Sequence, residues 1–146
     1  MHTKIYSYFL IVLLISIIAL SATAAEPNLK VIMQGLRDDV VEITDGLLTG
    51  DFTKVAHGAA RIANHARIPD EQIQLVAAEL GPEMAAFKQI DNSVHELSLS
   101  IAAAAEGKDR NKAIADFQQM LSGCFACHAA YKDRVGIVLS AAAGPE

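Results

Sequence analysis

From Ile114 to Val135 the chain repeats one apolar face at alternating steps of three and four residues: Ile114, Phe117, Leu121, Cys124, His128, Tyr131, Val135. That spacing follows the 3.6-residue turn of an α-helix and gathers the side chains into a single stripe. A helix with one apolar stripe gains most of its stability by burying that stripe against other helices, so this segment commits the chain to a helical assembly. The same stripe carries chemistry. Both cysteines of the chain, Cys124 and Cys127, lie on this helix, and His128 follows them directly.

Cys124-Phe125-Ala126-Cys127-His128 has the form C-x-x-C-H, the attachment signature of a c-type haem. Two thiols three residues apart on a helix share a face, which suits addition to the two vinyl groups of one porphyrin. His128 stands one turn beyond Cys124, and a neutral imidazole nitrogen is a good iron ligand. One covalent haem c is therefore expected, with Cys124 and Cys127 as its thioether positions and His128 as the proximal iron ligand. The competing readings have less support. A closed zinc site needs four ligands, and with only two cysteines it would have to recruit distant histidines. A thioredoxin-like pair expects a strand-helix-strand setting, and no run of alternating Val, Ile or Thr follows the N-terminal segment. A plain disulfide or a chance match stays open, because only three of the five positions are fixed.

The rest of the chain repeats the helical pattern. A first helix is expected from about Asn28 to Leu48, with Leu29, Ile32, Met33, Leu36, Val40, Ile43 and Leu47 on its stripe. Thr49-Gly50-Asp51 is a turn, with Asp51 placed to cap the next helix. That second helix runs to Arg67, before Ile68-Pro69-Asp70. Glu71 to Leu80 suits a short helix, and Gly81-Pro82 breaks it. A third long helix covers Pro82 to Glu106, and a fourth runs from Asp109 to Val135. The sequence thus predicts an all-α bundle of four antiparallel helices, with its domain over residues 26–136 and a flexible tail over 137–146.

The N-terminus has the pattern of a secretory signal peptide: Lys4, an apolar run from Tyr8 to Leu20, then small residues through Ala25. The run is shorter than the roughly 20 residues of a membrane-spanning helix, so cleavage near residues 24 and 25 is expected, with no stable membrane insertion afterwards. Export agrees with the C-x-x-C-H motif, since such haems are attached outside the cytoplasmic membrane. The whole chain has a formal charge of −5. An acidic chain without a basic stripe argues against nucleic acid as a partner, and long-range steering would favour a partner with a positive docking face. Solubility explains the same charge equally well.

Four antiparallel helices with C-x-x-C-H in the last one resemble class II cytochromes c, the cytochrome c′ family, over about Asn28 to Gly136. The specific part of the resemblance is Cys124, Cys127 and His128. It implies an up-down-up-down bundle enclosing covalent haem c, a periplasmic location, redox partner proteins, and a monomeric or homodimeric state. The family divides by what covers the far side of the iron. In one branch a non-coordinating residue on the first helix leaves iron five-coordinate and open to nitric oxide or carbon monoxide. In the other a methionine ligates iron and the protein carries single electrons. The matching position is Met33, which the resemblance implies as the distal ligand; without it, a methionine on an apolar stripe is ordinary core filler. The expected function is electron transfer rather than enzymatic catalysis, with gas binding as the alternative. Met84 and Met120 are rivals of lower rank, and so are His57, His65 and His95.

Two further positions bear on the resemblance. The family often places an arginine four residues before the distal position, where this chain has Leu29 beside Lys30. Lys132, four residues after His128, matches a commonly basic position, and it also suits a solvated lysine near a helix end. Asp38, Asp39 and Glu42 read as a solvated acidic face of the first helix.

Overall fold

The computed structural model describes residues 28–143, whose regular elements are all helices, with no strand among them. The signal peptide expected over residues 1–25 lies outside the described residues. In chain order the helices are α1 (Leu29–Thr49), α2 (Phe52–Ala63), α3 (Asp70–Leu80), a 3-10 turn (Gly81–Glu83), α4 (Met84–Glu106) and α5 (Arg110–Ala143). Each of the four expected long helices is present, and α3 is the short connecting helix.

Local chemistry sets the ends. The Asn28 side chain accepts from the Val31 amide at the start of α1. Gly50, at φ 76°, closes that helix in the left-handed conformation that glycine adopts without strain. Asp51 caps α2 as its position in sequence suggests, accepting from the amides of Thr53 and Lys54. Two ends differ from expectation. Helix α2 stops at Ala63 rather than Arg67: Asn64 turns its side-chain amide back to the Ala60 carbonyl, and the segment up to Pro69 leaves the helical conformation. Where a flexible tail was expected from residue 137, α5 continues through Gly136 to Ala143. Leu139 packs against a buried cluster and anchors the extension.

Side-chain pairs fix the register. Asp39 and Glu42 bond Arg61, and Asp45 bonds Lys54, so α1 and α2 run antiparallel. Their backbones approach closely at Gly58, where a Cβ would meet Ile43 Cγ1 at 2.8 Å and the Asp39 carbonyl at 3.0 Å. Ser100 with Asp116, and Ser98 with Met120, set α4 and α5 antiparallel. Arg110 Nη1 donates to the Leu47 carbonyl, so the end of α1 meets the start of α5. At the opposite end Leu29 shares a buried cluster with Tyr131 and Val135. The closest helix pairs are α1 with α2, α2 with α4, and α4 with α5, while α3 lies on α5.

Two apolar clusters hold this bundle. One joins Ile43, Val55, Ala59, Ile62, Ile101, Ala105, Phe117 and Met120 from α1, α2, α4 and α5. The other joins Leu29, Val76, Leu80, Tyr131 and Val135 around α3 and the late part of α5. Ser98 is fully buried on the α4 stripe; its hydroxyl donates to the Val94 carbonyl at 2.7 Å and lies 3.2 Å from Met120 Sδ. The acidic face expected on α1 needs correction at Asp39, which is buried. Arg61 reaches across from α2 and donates to it at 2.7 Å. A buried carboxylate is tolerable only with such a partner.

Candidate functional site

The site begins with the orientation of α5. Its contacts with α4 run along one side: Asp116 on Ser100, Met120 on Ser98, Gly123 beside Val94, and Tyr131 edge-on to Phe87 with ring centroids 5.6 Å apart. Arg134 continues the same line, bonding Glu79 and Glu83 below α4. With α4 thus placed, the helical turn puts Leu121, Phe125, His128 and Lys132 on the side of α5 toward α1. Cys124 lies between the two sides, in line with the buried residues Phe117 and Tyr131.

The same reasoning orients α1. Asp39, Glu42 and Gly46 meet α2. About half a turn around the helix, Met33 and Val40 fall on the opposite side, toward α5. Met33 and His128 therefore stand on the sides of α1 and α5 turned toward each other, at the end of the bundle where Leu29 and Tyr131 belong to one buried cluster. Both side chains are open to solvent: Met33 is 37% exposed, and His128 is exposed and has no hydrogen-bond partner among the described residues. The apolar stripe on α5 led to an expectation that His128 would lie in the core. It lies at the stripe's edge instead, because the buried line follows Phe117, Met120 and Tyr131.

Cys124 and Cys127 form no disulfide with each other, and each is half-buried. Burial pushes the Cys124 thiol above its ordinary range. Burial does the same at Cys127, helped by the negative charge of Asp91 and by Cys124. Cys127 also packs against the Leu29/Tyr131 cluster.

The rivals fall elsewhere. Met120 is fully buried among the four helices, and Met84 packs beneath the second cluster. The Ala63 carbonyl accepts from His95 Nδ1 at 3.1 Å, which ties α4 to the end of α2. His57 and His65 line a groove of about 640 Å³ between α1 and α2, with Ile32, Leu36, Asp39 and Arg61. His65 belongs to the extended segment after α2 rather than to the helix. None of Met33, Cys124, Cys127 or His128 lines this groove.

Chemically, two thiols and an imidazole on α5, with a thioether on α1, are residue types that could hold a haem c, the sulfurs of Cys124 and Cys127 by attachment and His128 and Met33 as donors to its iron. Among the described residues no three His, Cys, Asp or Glu side chains converge as a metal site. None of the described helices is long and apolar enough to cross a membrane. Sequence reasoning missed the Asp39–Arg61 pair; its signal was the polar position at 39 between the apolar positions 36 and 43. No family model, curated protein or solved structure matches the chain.

Proposed function

We propose that this chain is a periplasmic c-type cytochrome that carries single electrons, with its haem c enclosed in an up-down-up-down bundle and held between α1 and α5. The observation that carries the proposal is the placement of Cys124, Cys127 and His128 together on α5, with Met33 on the opposing side of α1. Cys124 and Cys127 would hold the cofactor through thioether bonds, and His128 and Met33 would be the donors to its iron. When bound, the haem supplies a reversible one-electron couple.

The chain's own residues have three tasks in this reading. His128 and Met33 would both remain bound to the iron, so that little reorganisation would accompany each electron, as a carrier needs. Val40 and Leu121, both partly buried, would flank the haem with apolar surface and limit the access of water, which raises a haem potential. Tyr131 and Phe87, stacked edge to face, back the attachment segment from the α4 side. Beyond Met33 these residues offer no polar group that could move a proton on the distal side, so peroxidase-type chemistry has little support.

The test is the optical spectrum of the exported, mature protein in both oxidation states. A methionine-to-iron charge-transfer band in the oxidised form, lost in Met33→Ala, supports the proposal. A high-spin spectrum in the native protein, with ready carbon monoxide binding when reduced, replaces it with the five-coordinate gas-binding reading.

A further inference from the structure

Along α4 one stripe recurs at steps of three and four: Met84, Phe87, Asp91, Val94, Ser98, Ile101 and Ala105. All but Asp91 are apolar or small. A carboxylate stands where the helical period calls for an apolar side chain.

The contacts on either side fix what lies across from it. Phe87 meets Tyr131, Val94 lies beside Gly123, and Ser98 reaches Met120. The helices are antiparallel, so the register between the first two pairs sets Asp91 opposite Cys127. The field of Asp91 is accordingly felt at the Cys127 sulfur. Other carboxylates around α5 are bound: Asp116 by Lys112 and Ser100, Glu79 and Glu83 by Arg134. Asp91 has no ion pair and no side-chain hydrogen bond among the described residues. Lys88, the one Lys or Arg of α4, stands a turn earlier and does not pair with it. Asp91 is also exposed, while Phe87 and Val94 on the same stripe are half-buried.

Ferric haem carries one more positive charge than ferrous haem, so an anion close by favours the ferric state. We propose that Asp91 tunes the haem attached at Cys127, lowering its reduction potential through the field of an unpaired carboxylate. This rests on the cytochrome reading above and deepens it. Val40 and Leu121 would raise the potential from the α1 side; Asp91 opposes them from the α4 side.

The experiment is a redox titration of the mature haem-loaded protein against mediator dyes, at neutral pH and about 10 mM salt. Asp91→Asn is expected to shift the ferric–ferrous equilibrium about threefold toward ferrous, roughly 30 mV at about 59 mV per tenfold, with the optical spectrum unchanged. Asp91→Lys shifts it further in the same direction, and Asp91→Glu, which keeps the charge, stays close to native. Glu106→Gln, at the opposite end of α4, has little effect. In about 0.5 M salt the Asp91→Asn difference shrinks, because an exposed charge is screened; a loss of packing would not respond to salt. No shift in Asp91→Asn, an equal shift in Glu106→Gln, or a difference that persists in high salt overturns the proposal. So does a shift accompanied by a changed spectrum, since Asp91 would then act through the iron ligands. A chain without covalent haem fails earlier, at the cytochrome reading itself, and haem staining of a denaturing gel reports that before any titration.

Discussion

Where α1 turns into α2, Ile43, Val55, Ile101 and Met120 are wholly removed from water. Toward the other end of the same helices, Met33, Cys124 and His128 are half-buried or exposed. The two regions use the same helical period, yet one is closed and the other presents its donor atoms outward. In the first, small residues make closure possible. Gly46 and Gly58 let α1 and α2 touch, and Ala59, Ala104 and Ala105 let α2, α4 and α5 approach. In the second, α1 and α5 are linked at their ends, through Arg110 with Leu47 and through the cluster that holds Leu29 and Tyr131, rather than packed along their length. Close α1–α2 packing and open donor side chains are thereby separated along one bundle axis.

The sharpest way to break that separation is at the cysteines. Cys124→Ala combined with Cys127→Ala is expected to remove all covalently bound haem, read by haem staining on a denaturing gel, while the α1–α2 end keeps its packing. Next come two methionines with opposite expectations. Met120→Ala should destabilise by about 2–4 kcal/mol, because it opens a cavity among four helices, and should leave the charge-transfer band in place. Met33→Ala should change stability by less than about 1 kcal/mol through packing alone, as its side chain is 37% exposed, and should abolish the band. Chemical denaturation and optical spectra of both variants check the contrast. If Met120→Ala removes the band, the assignment of ligands is wrong.

A smaller effect is expected at Arg61→Ala, about 1–2 kcal/mol by denaturation, because Asp39 is left buried without its partner while Arg61 itself is half exposed. The smallest is a pH effect at Asp116. Burial alone would push this carboxyl up, but hydrogen bonds from Lys112 and Ser100 overcome that and hold it below the ordinary carboxylate range. A depressed native value contributes stability above the unfolded value near 3.8, and that contribution is lost as pH falls through the native value. Asp116→Asn should therefore be less stable than the native chain at neutral pH, and the difference should shrink toward zero on acidification below about pH 4, read in denaturant midpoints across pH.

Much of the molecule is legible from period and caps. The steps of three and four along residues 29–47 and 114–135 foretell α1 and α5, Asp51 foretells the start of α2, and Gly81-Pro82 the break before α4. These are local effects, decided by backbone sterics and by side chains within one turn. The three residues of the C-x-x-C-H motif are legible for the same reason: their mutual geometry is set by one helix.

What the sequence did not determine is which edge of each stripe meets which neighbour. Asp39 reads as a surface carboxylate until Arg61 arrives from α2; His128 reads as a core position until the α4 contacts of Met120 and Tyr131 rotate it to the edge. The end of α5 was hidden because Leu139 finds its anchor only in the cluster around Val76 and Leu80. Periodicity specifies that a face exists, and local geometry fixes it. The rotation of that face, and hence the burial of each residue on its margins, depends on contacts between residues far apart in the chain, which only the assembled bundle brings together.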